Sequence, residues 1–476
     1  MLRSFPPILQ NRGELMTLQY RVQNPVTDQI VQTFKSATDT EIEASLSLAN
    51  SAFREWSAQN IGARAKVAAR VADLFEDRKT ELANIAAEEM GKPISEGIEE
   101  AEYAAAIIRY YADNGPGFVA DQEIHTESNG TAIIRRLPIG PLLGVMPWNF
   151  PYYQIARFVG PNLVLGNTIL LKDAEICPLS ALAVQQIMDD AGVPKGVYNN
   201  IFATHEQVAR IIADQRVQGV SLTGSERAGS IIGALAGKHL KKAVLELGGS
   251  DPYVILDSKD VRAAARLAWS TRMYNTGQAC NSNKRMIVME DIYDEFVDEL
   301  VNLAKTSQAA TPHEEGEFTY SPLSSREAAE TLHAQIQRAI DAGAVLRAGG
   351  ELSAEGAYLS PAVLTDIPVG SDVYYEELFG PVAIVYKVGS DEEAIELANN
   401  TQFGLGGTVF SEDNERASAV SRRLEVGMAN VNTPAGEGAE LPFGGVKRSG
   451  YGRELGPLGM DEFVNKQLFY VESSTN

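Results

Sequence analysis

The chain has 476 residues, and its 63 acidic side chains outnumber 41 basic ones to give a formal net charge of −22. This length exceeds one ordinary hydrophobic core, so we expect two or three domains. The negative charge argues against nucleic acids and anionic membranes as partners, because both are bound through basic patches. Only two cysteines are present, too few for a disulfide framework, and no apolar run of about 18 residues predicts a membrane span. We therefore expect a soluble, cytoplasmic α/β protein.

The N-terminal third reads mainly as helices. Pro6 and Pro7 interrupt the first apolar run, so residues 1–15 make no convincing secretory signal and are expected to be a loose extension or an upstream start. Residues 38–41 (Thr-Asp-Thr-Glu) form a capping box that predicts a helix start. Residues 65–90 continue with a helical pattern. The Gly-Pro-Gly at residues 115–117 is expected to break the next helix.

Strand patterns follow. Residues 121–137 mix apolar and polar side chains and read as strands. From residue 140 to 246, short apolar runs alternate with helical patterns, which is typical of a parallel sheet with crossover helices. A second set of apolar runs lies at residues 253–256, 285–288 and 382–385. The tail at residues 467–471 reads as a strand without a local partner.

Three segments carry side chains suited to one chemistry. Cys280 ends the segment Asn-Thr-Gly-Gln-Ala-Cys, Glu246 is a lone carboxylate between two leucines, and Asn149 lies in Pro-Trp-Asn-Phe-Pro. A free thiol is mostly neutral at pH 7, so it needs a base such as Glu246, acting directly or through water. The amide of Asn149 and the backbone N–H of Cys280 suit an oxyanion. The structural alternatives are a buried thiol, a strand carboxylate and a turn residue, and Cys177 reads as a small buried side chain.

The sequence lacks the common dinucleotide fingerprint. No Gly-x-Gly-x-x-Gly joins a strand to a helix, and the glycines at residues 450–456 have the wrong spacing. Gly224, Ser225 and Gly229 instead follow an apolar strand, where glycines and a hydroxyl at a helix N-terminus suit a pyrophosphate. Thr-Gly-Ser is also an ordinary helix cap.

Several motifs in one order carry a resemblance to a known family. They lie at residues 147–151, 223–225, 245–252, 275–280, 376–381, 442–445 and 447–454. From about Val22 onward the chain resembles the aldehyde dehydrogenase superfamily, and within it is most similar to succinate-semialdehyde dehydrogenases.

The resemblance implies an α/β fold with two Rossmann-like parallel-sheet domains and a small β oligomerisation flap. Residues 1–119 and 138–246 would form the cofactor domain, and residues 247–454 the catalytic domain. Residues 120–137 and 455–476 would form the flap, in which the tail strand gains a partner. In the family that strand pairs across a subunit interface, which implies a homodimer or homotetramer.

The same resemblance implies a cofactor site for NAD or NADP. Lys172 and Glu175 would hold the adenosine ribose, Glu377 the nicotinamide ribose, and Trp148 and Phe379 would pack near the cofactor. A carboxylate at Glu175 repels a 2′-phosphate and favours NAD, whereas Lys172 can still accept a phosphate.

The implied reaction is the oxidation of an aldehyde to an acid through a thiohemiacetal and a thioester on Cys280, with Glu246 activating water. The implied substrate is succinate semialdehyde, with Arg157 holding its distal carboxylate. Tyr274 stands where several relatives carry Arg or Gln, and the serine often found near residues 434–438 is absent, so other aldehydes stay open.

Two other classes of function also stay open. A non-catalytic protein that keeps the fold is disfavoured by the retained Cys280, Glu246 and Asn149. A thiol hydrolase is disfavoured because the five histidines lie outside these motifs. No metal is expected, since no His/Cys cluster has ligand spacing.

Overall fold

A computed structural model describes residues 20–127 and 129–472. The predicted extension at residues 1–15 lies outside the described residues. The helices are α1 Asp39–Ala58, α2 Ile61–Asp77, α3 Lys79–Met90, α4 Ile94–Phe118, α5 Tyr153–Leu165, α6 Pro178–Asp190, α7 His205–Ala213, α8 Glu226–Lys238, α9 Val261–Met273, α10 Glu290–Thr306, α11 Arg326–Ala342, α12 Asp372–Tyr375, α13 Asp391–Asn399, α14 Asn414–Ser421 and α15 Gly456–Met460.

The strands belong to three larger sheets and two short pairs. They are β1 Tyr20–Asn24, β2 Gln29–Phe34, β3 Gln122–Ile124, β4 Gly130–Pro138, β5 Pro141–Val145, β6 Thr168–Lys172, β7 Tyr198–Asn200, β8 Gly219–Thr223, β9 Lys242–Glu246, β10 Pro252–Ile255, β11 Arg285–Met289, β12 Gln308–Ala309, β13 Thr319–Tyr320, β14 Val345–Ala348, β15 Ala362–Thr365, β16 Val382–Val388, β17 Gly406–Phe410, β18 Met428–Val431, β19 Gly450–Tyr451 and β20 Val464–Glu472.

The helices of the N-terminal third differ from the sequence prediction at two points. The capping box at Thr38 is present, with both of its reciprocal hydrogen bonds. The predicted helix over residues 65–90 is instead two helices, because Arg78 leaves helical geometry between them at φ −104° and ψ 10°. The expected break at residues 115–117 is wrong, since α4 continues through Pro116 to Phe118. Pro116 lies in the last turn, where its missing N–H costs one helical hydrogen bond.

The first large sheet has the strand order β19-β9-β8-β5-β6-β7. Its strands from β5 to β9 are parallel and connected by α5 to α8, which confirms the alternation predicted for residues 140–246. Thr223 and Glu246 are register partners at the ends of β8 and β9. β19 adds antiparallel to β9, so the chain returns to this sheet before the predicted domain boundary at residue 454.

The second large sheet has the order β14-β15-β16-β11-β10-β17-β18. It is parallel except for β14, and three of its strands are the second set of apolar runs predicted from the sequence. Its core is separate from the core of the first sheet and is packed by helices α9 to α14. The two sheets give the predicted α/β architecture, and the division into three domains stays a prediction.

The third sheet is antiparallel, with the order β20-β4-β3. β20 pairs with β4 along nine residues, from Val464 opposite Pro138 to Glu472 opposite Gly130. The tail strand therefore joins the predicted flap within the same chain. β20 is the edge strand of this sheet, and its pairing across a subunit interface stays a prediction. Apolar side chains of residues 468–471 are exposed on it. In the described part of the chain, no helix is long and apolar enough to cross a membrane.

Candidate active site

Cys280 follows a strained left-handed turn. Asn275, Thr276 and Gly277 have φ values of 50°, 52° and 73°. For a β-branched residue such as Thr276 this conformation is an outlier, and it persists only where the surroundings hold it. Here the backbone N–H of Asn275 donates to Glu96 Oε2 at 2.7 Å, and the carbonyl of Gly277 accepts from Arg272 Nη1 at 3.0 Å.

Asn149 is bound directly to this turn. It lies between β5 and α5, is buried, and its Nδ2 donates to the carbonyl of Gln278 at 3.0 Å. In return, Asn275 Nδ2 donates to the carbonyl of Asn149 at 2.8 Å. The amide group and the loop that carries Cys280 are thus brought together from positions about 130 residues apart in the chain.

Two carboxylates on one face of α4 hold these loops. Glu100 accepts from the backbone N–H of Tyr152 at 2.7 Å and of Tyr153 at 3.0 Å, at the start of α5, and it pairs with buried Lys92. Glu96, one turn earlier, holds the turn before Cys280. Burial raises the pKa of Glu96 to about 7, with Lys92 opposing the shift. Sequence spacing did not reveal this arrangement, because its partners are remote in the chain.

Glu246 ends β9 in a buried position without a hydrogen-bond partner for either carboxylate oxygen. Burial, followed by the charge of Glu454, raises the pKa of Glu246 well above its usual range, and Arg157 opposes that shift. The arrangement therefore favours the neutral carboxyl, and only the ionised form can act as a base.

Cys280 has a perturbed pKa for a related reason. Burial raises the pKa of the thiol to about 11, while the positive charges of Arg157 and then Lys284 lower it. The thiol is neutral at pH 7, so attack on a carbonyl requires a base or a change in its surroundings.

Arg157 lies behind the wall of the cavity that reaches Cys280. The residue is 1 % exposed, and its guanidinium lies near the rings of Tyr153 and Phe443, 4.6 and 4.3 Å from their centroids. Nε is 2.8 Å from Glu454 Oε2, although the N–H does not point at that oxygen. Nη2 donates to Gln154. The structure thus places Arg157 with Glu454, not at the cavity surface, and its predicted role toward a substrate stays a prediction.

The cavity itself has a volume of about 520 Å³ and reaches Cys280. Its aromatic lining consists of Tyr103, Phe150, Tyr153, Tyr253, Tyr274 and Phe443. Tyr274 stacks on Phe150 with a centroid separation of 6.2 Å. Glu99 and Glu437 are exposed carboxylates in the lining. Among the described residues, those that line the cavity include no lysine, arginine or histidine.

The predicted pyrophosphate residues lie at the start of α8. Ser225 is the N-cap and its hydroxyl accepts from the N–H of Ala228, while the N–H of Gly224 donates to the carbonyl of Glu246 at 2.9 Å. A side chain at Gly229 would stand 2.5 Å from Leu247. A larger residue at this position would therefore displace the side chain of Leu247, which directly follows β9.

Lys172 and Glu175 follow β6 and are paired with each other. Lys172 Nζ donates to Glu175 Oε1 and to the carbonyl of Asp173 at 3.1 Å. His205 Nε2 is 3.6 Å from the same Glu175 oxygen. Lys172 lowers the pKa of Glu175 against the effect of burial. The ammonium charge that would attract a phosphate is thus already neutralised by a carboxylate.

The residues predicted for the nicotinamide side also lie together. The rings of Trp148 and Phe379 meet edge to face at 5.8 Å. Glu377 Oε1 accepts from the N–H of Gly249 at 3.1 Å and lies 3.0 Å from Lys284 Nζ.

Sequence reasoning assigned no role to two buried charges of this site. Glu454 belongs to a motif used for the resemblance, and Lys284 directly precedes a strand of buried residues. A lysine directly before a buried strand indicates a buried cation that needs a partner. The sequence alone could therefore have identified Lys284 as a candidate. In the described residues, no cluster of His, Cys, Asp and Glu could hold a metal ion.

Comparisons with known proteins identify the family and the fold. A sequence model of the aldehyde dehydrogenase family matches residues 14–469. A succinate-semialdehyde dehydrogenase [NADP(+)] of Deinococcus radiodurans is 48 % identical over 94 % of this chain and 93 % of its own. The succinic semialdehyde dehydrogenase of Streptococcus pyogenes, solved with NADP+, has a TM-score of 0.92 at 40 % identity and covers 95 % of this chain and 100 % of its own. An aldehyde dehydrogenase of Bacillus cereus, solved with NAD+, has a TM-score of 0.92 at 32 % identity, with coverage of 96 % and 94 %. The resemblance and the fold class predicted from the sequence are confirmed.

Proposed function

Because the chain belongs to the aldehyde dehydrogenase family, whose members oxidise aldehydes with NAD or NADP, we propose that it oxidises succinate semialdehyde to succinate. The identity of 48 % to a relative that bears this name, over nearly the whole of both chains, is the observation that carries the proposal. We also propose that the reaction passes through a thiohemiacetal and a thioester on Cys280.

The residues of the cofactor side fit a dinucleotide. A capped helix N-terminus at Ser225 suits the pyrophosphate, the carboxylate of Glu377 suits ribose hydroxyls, and the rings of Trp148 and Phe379 suit a planar base. When bound between these residues, a nicotinamide cofactor would supply the acceptor for the hydride of the aldehyde.

The protein's own groups supply the remaining chemistry. The Cys280 thiolate forms the C–S bond, and the developing oxyanion accepts from the backbone N–H of Cys280 and from Asn149. The Asn149 amide uses one N–H on Gln278 and keeps a second for this purpose. Glu246 then removes a proton from the water that cleaves the thioester, which releases the acid and restores the thiol.

The substrate's distal carboxylate would pair with Arg157, with the Tyr274 hydroxyl as a further donor at the cavity wall. Arg157 lies one layer behind that wall, so Gln154 or Tyr153 must move to admit the carboxylate. A second candidate is an aldehyde without a negative charge. Among the described residues, none that lines the cavity is a cation. The carboxylates of Glu99 and Glu437 in the lining would repel a negatively charged substrate.

We propose NAD as the preferred cofactor. Glu175 neutralises Lys172, and its carboxylate repels a 2′-phosphate. The names of the curated relatives specify NADP+ instead, so this chain would differ from them in cofactor preference.

Assembly and location complete the proposal. The exposed apolar residues 468–471 on β20 suit contact with a second copy, as in a homodimer or homotetramer. A cytoplasmic location fits the two free cysteines. The proposal also includes the division into three domains. These are a cofactor domain at residues 1–119 and 138–246, a flap at residues 120–137 and 455–476, and a catalytic domain at residues 247–454.

One assay tests the central claim. Succinate semialdehyde, butanal and an aminoaldehyde are each added with NAD or NADP, and formation of the reduced cofactor is followed by absorbance. Turnover that is fastest with succinate semialdehyde supports the proposal, and a preference for butanal or the aminoaldehyde selects the second candidate. An activated ester is added in a parallel assay without cofactor. Hydrolysis of the ester in a protein that oxidises no aldehyde would point to a thiol hydrolase, and no reaction in either assay to a non-catalytic protein.

A further inference from the structure

Lys284 is a buried lysine four residues after the proposed nucleophile. Its side chain is 1 % exposed. Its Nζ lies 2.6 Å from the carbonyl oxygen of Ala279, 2.8 Å from that of Cys280 and 3.0 Å from Glu377 Oε1. The ammonium donates hydrogen bonds to the two carbonyls, and its charge pairs with the carboxylate of Glu377. The position of this charge is therefore fixed by the peptide that carries the thiol.

Glu377 connects Lys284 to the cofactor side of the site. The same carboxylate oxygen also accepts from the N–H of Gly249 at 3.1 Å. A side chain at Gly248 would stand 2.3 Å from the other oxygen of Glu377, so the glycine leaves room for this carboxylate. The ring of Phe379 lies 5.6 Å from Lys284 Nζ. One buried cation thus joins the nucleophile loop to the residues proposed for the nicotinamide ribose.

Four charged groups have the largest effect on the Cys280 thiol. Arg157 and Lys284 are positive and favour the thiolate, whereas Glu377 and Asp251 are negative and oppose it. Arg157 is already close to a carboxylate of its own. Tyr153 is the neighbouring phenol, and burial raises its pKa above the usual range.

We propose that Lys284 is a positioning residue, which holds the Cys280 peptide in place against Glu377 and gives the thiolate a fixed positive charge. The proposal rests on the proposed roles of Cys280 as nucleophile and Glu377 in cofactor binding. Without the ammonium group, the thiolate loses one of its two nearby cations. Glu377 also loses the partner that orients its carboxylate, so cofactor binding weakens together with thiol reactivity.

The test is the pH dependence of Cys280 alkylation by iodoacetamide, with the adduct located by mass spectrometry. In Lys284→Met the midpoint of this profile should rise by about one unit or more, the usual effect of losing a charge at close range. Lys284→Arg keeps the charge and should leave the midpoint near that of the wild type. The KM for the cofactor should rise about tenfold in the methionine variant, as expected for one lost charge-assisted hydrogen bond. Lys387→Met is the matched control, because Lys387 is an exposed lysine on β16, the strand beside β11, and it should change neither quantity.

A second substitution tests the same charges in the opposite direction. Glu377→Gln removes a negative charge and should lower the alkylation midpoint, and it decides the question if Lys284→Met fails to fold. An unshifted midpoint in either variant, or equal shifts in Lys284→Met and Lys284→Arg, would overturn the proposal. Alkylation needs no turnover, so its result is separate from the nucleophile assignment, which fails if Cys280→Ala still oxidises aldehyde.

Discussion

Replacing Arg157 with methionine distinguishes two roles for this residue. A substrate clamp can be removed without harm to the fold, whereas a buried counter-ion cannot. Arg157 and Glu454 are both buried, and their nearest charged atoms are 2.8 Å apart. Breaking a buried ion pair by removing one partner typically costs about 3–5 kcal/mol.

The cost of protonating Glu454 gives an independent figure for this loss of stability. In the variant, Glu454 would keep its burial without the cation, so its least costly state at pH 7 is the protonated one. Protonating a carboxyl with an ordinary pKa of about 4.3 at pH 7 costs about 2.7 units, or about 3.7 kcal/mol at 1.36 kcal/mol per unit. Burial already raises the pKa of Glu454 and Arg157 opposes this. In Arg157→Met the pKa of Glu454 is higher in the folded than in the unfolded protein. The variant's loss of unfolding free energy relative to the wild type should therefore be largest near pH 8 and should shrink toward pH 5.

The assay combines urea unfolding at pH 5.5 and pH 8 with kcat/KM for succinate semialdehyde and butanal. Arg157→Met/Glu454→Gln should recover most of the lost stability, because no unpaired buried charge is left. Arg448→Met is the control, since it removes an arginine from an exposed pair with Glu226, and it should leave unfolding unchanged. If Arg157 also binds the substrate, the single variant should lose about 10- to 150-fold in preference for the semialdehyde.

Two results would refute this reasoning. Wild-type unfolding in Arg157→Met would mean that the contact with Glu454 contributes nothing to the fold. Equal losses of kcat/KM for both aldehydes would mean that Arg157 supports the site as a whole, and the assignment of a carboxylate clamp should then be dropped.

Three further substitutions have defined outcomes. Glu246→Gln should slow steady-state turnover by roughly 10² to 10⁴, the usual loss for a general base, and an acyl adduct should accumulate on Cys280 in mass spectra; wild-type turnover would contradict the assignment. Glu175→Ser should raise kcat/KM for NADP relative to NAD, and a wild type that already strongly prefers NADP would show the carboxylate argument to be wrong. Glu96→Gln should lower kcat with little change in KM and should remove any acidic inflection near pH 7, where protonation of Glu96 weakens its hold on the turn. Glu102→Gln, at a surface pair on the same helix, should behave as wild type, and equal profiles for the two variants would exclude the positioning role of Glu96.

The sequence predicted the parallel sheets because their strands are short, almost fully buried apolar runs. β6 at Thr168–Lys172 is one of these runs, inside the alternation expected over residues 140–246, and all five of its residues are buried. The helix breaks were predicted less well, since α4 passes through Pro116 and α2 already ends at Asp77. A proline near a helix end costs little, and tertiary packing decides such cases.

The site was predictable as a set of motifs but not as a set of contacts. Asn149 and Cys280 could be named from local sequence, and the structure brings their loops together. The carboxylate that holds the turn before Cys280 could not be named, because Glu96 lies 179 residues from the N–H that it accepts. Spacing along a helix or strand reports which face is buried, and it carries no information about which remote polar group lies opposite.

The charges around Cys280 suggest why the protein keeps two buried cations so close to its thiol. Each is already beside a carboxylate, Arg157 near Glu454 and Lys284 near Glu377. One pair lies behind the substrate cavity and the other on the side proposed for the cofactor. A buried cation without a partner would be costly in the free protein, whereas a paired one can exchange its partner when a ligand brings its own polar groups. Burial raises the pKa of the Cys280 thiol, whereas both cations lower it. Alkylation profiles of Cys280 measured with and without cofactor therefore report on the balance between these effects.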